Sequence, residues 1–122
     1  MRRPPMNASV LWFSLVTLAL TAGCAPTPEA LAARCRAGDT PACAAAQTSA
    51  TRLCDRGQAA ACELVADLHA TGTGGPKDLA RAREFFDAAC ERGKPESCYR
   101  LAVLHRQGEG GPVDRVRARA LY

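Results

Sequence analysis

The sequence predicts an all-α fold, a short solenoid of helical hairpins stapled by disulfides. Three observations carry this expectation. The chain repeats itself at an offset of 36 residues. Six of its seven cysteines fall into three pairs of one spacing. The composition is rich in alanine and only 5% aromatic, which favours helix.

The repeat sets the elements. Cys54–Phe86 aligns on Cys90–Tyr122, with Arg56 over Arg92, Gly57 over Gly93, His69 over His105, Gly72 over Gly108, Gly75 over Gly111, Pro76 over Pro112 and Asp78 over Asp114. A period in this range marks stacked supersecondary units. Each unit reads as two helices. The first runs through Val65, Ala66, Leu68 and His69 and stops at Gly72, because glycine tolerates a left-handed cap. Thr73-Gly74-Gly75-Pro76 is a tight turn. The second helix keeps a helical period through Leu79, Ala82, Phe85, Phe86 and Ala89 and ends at Gly93. Pro95 suits the first turn of the next helix, which stops at Gly108. A second turn at Gly110-Gly111-Pro112 leads to a last helix from Val113. The expected repeats are therefore 54–89 and 90–122, the latter stopping at Tyr122, where the repeat before it continues. A covering chain or a truncation is expected at that end, and self-association there is one outcome.

The N-terminal part has another character. Arg2 and Arg3 precede an apolar run, Val10–Leu20, and the small residues Thr21-Ala22-Gly23 lead to Cys24. This is the pattern of a secretory signal. The run is about half the ~20 residues a membrane-spanning helix needs. Leu20–Cys24 resembles the lipobox of bacterial lipoproteins, with threonine where leucine is commoner. That resemblance implies cleavage after residue 23 and a lipid on Cys24. Residues 24–34, with Ala25-Pro26-Thr27-Pro28, are then a tether.

Lipid on Cys24 leaves six cysteines. Seven residues separate Cys35 from Cys43, Cys54 from Cys62 and Cys90 from Cys98. Outside the cytoplasm thiols oxidise, and a small domain with a thin core gains most from disulfides. Zinc ligands usually stand two to four residues apart. The spacing therefore selects Cys35–Cys43, Cys54–Cys62 and Cys90–Cys98 out of about 15 connectivities. Each bridge is worth roughly 2.5 kcal/mol in the chain-entropy model. A domain's net stability is only about 5–15 kcal/mol. Cys35 to Cys54 is 19 residues, well short of the period. Residues 35–53 are thus an atypical capping repeat, with one helix from Pro41 to Arg56 in place of a hairpin.

The period, the Gly-x-Gly-Gly-Pro-x-Asp turn and the cysteine pair at the hairpin junction resemble the Sel-one-like repeat family, relatives of the tetratricopeptide repeats, and within it a cysteine-rich secreted subgroup. The resemblance covers about Cys35 to Tyr122. It implies a right-handed solenoid that acts as an adaptor, here binding a protein, a peptide or a cell-wall fragment. Some cysteine-rich members are labelled β-lactamases or penicillin-binding proteins, which makes β-lactam binding or hydrolysis the alternative.

The residues themselves give that alternative little. A serine β-lactamase needs Ser-x-x-Lys, whereas Ser49 is followed by Arg52 and Ser97 by Arg100. His69 and His105 share one repeat position and read as packing residues, since one histidine per repeat cannot complete a metal site. No metal or cofactor is expected. Thr71–Lys77 lacks the Gly-Lys-Ser/Thr ending of a phosphate loop. Arg81, Arg83, Arg115, Arg117 and Arg119 read as a solvated basic face, with a rim that contacts acidic peptide or lipid headgroups as the alternative. The net charge of +4 falls to +2 without Arg2 and Arg3, too weak to argue for nucleic acid. The expected location is the cell envelope, on the periplasmic face of the inner or outer membrane.

Overall fold

The computed structural model describes residues 25–122. The leader 1–23 and Cys24 lie outside the described residues. Six helices follow one another: α1 (Pro28–Arg36), α2 (Thr40–Asp55), α3 (Ala59–Thr71), α4 (Leu79–Glu91), α5 (Pro95–Gln107) and α6 (Arg115–Leu121). Each packs chiefly on its neighbours in sequence. The described residues are all helix and connecting turn, with no strand.

Helix α1 corrects the expectation of a tether over 24–34. Thr27 caps it, its Oγ1 accepting from the Ala30 N–H at 3.2 Å. Pro28 stands in the first turn, where its missing N–H costs nothing. Leu31 and Ala32 then bury against Ala42 and Ala46 of α2 and Leu68 of α3. A proline-rich stretch reads as a linker until the residue after the cap is seen to begin an amphipathic turn.

The three cysteine junctions share one backbone. Helix α1 ends at a left-handed Gly38, α2 at Gly57 and α4 at Gly93, with φ of 100°, 93° and 90°. Each glycine donates to the carbonyl of the cysteine three residues before it, at 2.8–3.0 Å. The residue after each glycine donates five residues back, Asp39 to Arg34, Gln58 to Leu53 and Lys94 to Ala89. Such a turn brings the cysteine ending one helix over the cysteine in the first turn of the next. The pairs Cys35–Cys43, Cys54–Cys62 and Cys90–Cys98 are bonded, with Cα atoms 4.6, 4.6 and 4.7 Å apart. Helix α2 carries Cys43 near its start and Cys54 near its end, so it is clamped at both ends.

The two glycine-rich loops form the other kind of junction. Gly72 and Gly108 cap α3 and α5 in the left-handed conformation, at φ 71° and 70°. A glycine turn follows each cap. The left-handed residues are Gly74 and Gly110, at φ 82° and 76°, and not Gly75 and Gly111. A Cβ on Gly74 would overlap the Cys43 side chain, and one on Gly110 would overlap the Leu79 carbonyl. Each loop therefore lies down on the start of the preceding second helix. Pro76 and Pro112 follow as exposed turn residues. Asp78 and Asp114 then cap α4 and α6, accepting from Arg81 N–H at 3.0 Å and Arg117 N–H at 2.8 Å.

The core is thin and strung along the chain in three clusters. Ala50, Val65 and Ala89 pack with Cys54 and Cys62 in the middle. Leu31, Ala46 and Leu68 fill the N-terminal end. Ala66, Ala82, Phe86, Leu101 and Leu104 fill the other. Alanine at the contacts lets the helices approach closely and leaves little apolar area to bury, about 25 cal/mol per Å².

Candidate functional site

Helix α2 presents Gln47, Thr48, Thr51, Arg52 and Asp55 along one side, at the three- and four-residue spacing that makes a helix face. His69, from the last turn of α3, and Arg81, from the first turn of α4, close the other side. Together they line a cleft of about 490 Å³. Its floor is His69, stacked face to face on Phe85 with ring centroids 5.7 Å apart. Burial pushes the His69 pKa below its ordinary value of 6.5, and the Arg81 guanidinium adds to this against the opposing pull of Asp78. The imidazole is therefore neutral near pH 7.

The walls of the cleft are positively charged. Among the described residues Arg52 has no carboxylate within ion-pair distance, and Arg81 has only Asp78, at 3.9 Å. Arg52 and Thr48 also edge an apolar shelf of about 460 Å³ that includes Leu31, Ala44 and Ala45.

The corresponding positions of the next repeat are occupied differently. Arg83, the counterpart of Gln47, hydrogen-bonds His105 Nδ1 and donates to the Pro112 carbonyl at 3.3 Å. Arg117, the counterpart of Arg81, pairs with Asp87 of α4 at 3.1 Å. The His105 pKa is also lowered, first by burial and then by Arg83. Of the arginines expected on a solvated face, Arg115 and Arg119 are exposed, Arg81 lines the cleft, and Arg83 and Arg117 are held by partners.

Two further depressions lie toward the C-terminal end. One, of about 400 Å³, contains Phe86, Tyr99 and Leu104 beside Arg100. Arg100 sits 5.7 Å over the Phe86 ring and pairs with Asp67 and Glu96. Burial, more than the opposing Arg100, sets the direction of the Asp67 pKa, which is raised. The other depression is apolar, about 370 Å³, between Pro95, Cys98, Tyr99, Leu121 and Tyr122. Tyr99 and Tyr122 meet there edge to face at 5.7 Å.

Among the described residues no group of three or more histidine, cysteine or acidic side chains could hold a metal ion. No helix among them is long and apolar enough to cross a membrane. Ser97 is fully buried, and Ser49 is half-buried on α2.

Sequence reasoning singled out His69 and Arg81 but not Gln47, Thr48, Thr51, Arg52 or Asp55. The signal was present as a polar face at helical spacing on α2. The 36-residue offset, extended back from Cys54, also sets Thr51 against Asp87.

No match was found among curated proteins. The Sel1 repeat model matches residues 59–94 and 95–122. Its frame begins each unit at the first residue of α3 and α5, five residues after Cys54 and Cys90. Sel1 repeats generally mediate protein–protein interaction, and three disulfides suggest an oxidising, extracytoplasmic setting. With two consecutive repeats, bonded cysteine junctions and an all-helical stack, the chain belongs to the Sel1 repeat family.

Proposed function

We propose that the protein is a lipid-anchored adaptor of the bacterial cell envelope, whose repeat module binds a protein or peptide partner. The observation that carries this reading is the recurrence of one disulfide-stapled turn at all three cysteine junctions. Such turns suit an oxidising compartment and would be reduced in the cytosol. The charged, apolar and small-residue pattern before Cys24 agrees with export. The lipobox resemblance supports an anchor on Cys24, and the short segment Ala25–Thr27 before α1 would hold the module close to the membrane. In this reading residues 35–53 cap the module, and the repeats proper run 54–89 and 90–122.

The test uses membranes from a bacterium expressing the full chain. The intact mass of the mature protein should begin at Cys24, carry a diacylglyceryl group, and gain six hydrogens on reduction. A photoreactive residue at exposed Arg106 or Thr48 should give a discrete protein adduct. An unlipidated mass overturns the anchor. Free thiols overturn the export reading. A chain that yields no adduct from either position overturns the adaptor reading.

A further inference from the structure

The second repeat carries, built in, the group that the first repeat lacks. Arg117 reaches across to the Asp87 carboxylate at 3.1 Å. One repeat earlier Arg81 stands in the same place, but the position of Asp87 is held by Thr51. The neighbouring positions follow the same trend. Thr48 replaces Glu84, and Arg52 replaces Ala88. Asp55 and Glu91 keep one acidic residue in each. The cleft of α2, α3 and α4 thus has two guanidinium groups against one carboxylate, whereas the equivalent positions of the second repeat have two against three, Glu84, Asp87 and Glu91.

We propose that this cleft is a carboxylate-binding subsite, and that it recognises an acidic residue of a partner peptide. The incoming carboxylate takes the place that Asp87 fills in the second repeat. Arg81 supplies the charge-assisted pair, the stronger kind of hydrogen bond. The Thr51 hydroxyl and the Gln47 amide supply neutral donors beside it, whereas the Thr48 hydroxyl is already given to the Ala44 carbonyl at 2.9 Å. Arg52 adds a second cation at the edge shared with the apolar shelf of Leu31, Ala44 and Ala45. The preferred ligand is therefore an acidic residue next to an apolar one. His69 stays stacked on Phe85 as an uncharged floor. This proposal rests on the adaptor reading and names the chemistry of its partner.

The experiment uses the full mature chain, oxidised, and three short acetylated peptides. One is amidated with a Glu-Leu pair, one is amidated with Gln-Leu, and one is the Gln-Leu peptide with a free C-terminal acid. Binding is read by calorimetry at millimolar peptide. The Glu-Leu peptide should bind at least about tenfold more tightly than its amidated Gln-Leu twin, the worth of one charged hydrogen bond. If the free-acid peptide also binds, the site accepts a terminal carboxylate as well, and the proposal stands. Arg81→Ala should remove the preference. Thr51→Asp should remove it too, by supplying an internal carboxylate, while leaving the circular dichroism of the parent. Arg117→Ala should leave it intact. Equal binding of all three peptides overturns the proposal, as does a preference that survives both Arg81→Ala and Thr51→Asp. Failure here with a discrete crosslinked adduct still present from Arg106 would move the partner to another face and leave the adaptor reading in place.

Discussion

Ser97 stands at the third position of α5, and its Oγ is fully buried with no hydrogen-bond partner. The same place one repeat earlier holds Ala61, and the N-terminal junction holds Ala42, both buried. The pocket for this side chain is thus built to alanine's size, and the hydroxyl brings a desolvation cost without a bond. Ser97→Ala is expected to stabilise the fold by about 1 kcal/mol, measured by urea unfolding of the oxidised protein. A loss of stability would show that the hydroxyl does have a partner. The alignment of Ser97 on Ala61 is legible in the sequence, but its isolation is not, because that depends on what surrounds it in space. His69 is a similar case. Its shared position with His105 marks a packing residue, whereas the stack on Phe85 depends on how α3 and α4 meet.

At the scale of the element, the two Gly-x-Gly-Gly-Pro-x-Asp loops do more than reverse the chain. Each is tied back to the helix it leaves, Asp78 N–H donating to the His69 carbonyl at 2.9 Å and Asp114 N–H to that of His105 at 2.8 Å. Gly110 combines a left-handed backbone with contact against the Leu79–Ala80 peptide, which cannot yield as a side chain can. Gly75 has neither constraint and meets only the flexible Gln47 amide, at 3.7 Å. Gly110→Ala should therefore cost well over ~1 kcal/mol, and Gly75→Ala much less. Comparable melting points for the two variants would contradict this packing. The glycines and the capping aspartates are all visible in the repeat. Which glycine bears the strain is not, since neighbouring glycines are equivalent until the loop is placed on α2 or α4. Helix α1 was hidden for another reason. Its Pro28 fits a linker and a first helical turn equally well, and its buried face is short, Pro28, Leu31, Ala32 and Cys35.

Across the whole molecule, a core of alanines and a few large side chains leaves the fold sensitive to small charge effects. His69 and His105 both have pKa values below 6.5 in the folded chain, chiefly through burial and secondarily through Arg81 and Arg83. The folded state then binds fewer protons than the unfolded one, so their contribution is full above pH 6.5 and is lost as pH falls through the lower folded values. The melting temperature should fall on acidification below pH 6.5, and His69→Gln with His105→Gln should flatten that slope. Asp67, whose pKa is raised above 3.8, acts in the opposite sense, favouring the fold as pH falls through its own raised value. A profile near pH 6.5 unchanged by the double variant would assign the titration elsewhere. The order of helices and their disulfides were legible because the repeat and the cysteine spacing are local in sequence. The cleft was not, because three helices contribute to it. That locality has a further consequence. Every bridge joins residues eight apart. If the chain is exported N-terminus first with Cys24 taken by lipid, each of the other six cysteines meets its proper mate before the next pair follows. Closing so short a loop is fast compared with thiol oxidation. Each loop is therefore sampled many times before its bond forms, and the low entropic cost of closing eight residues favours the native pairing.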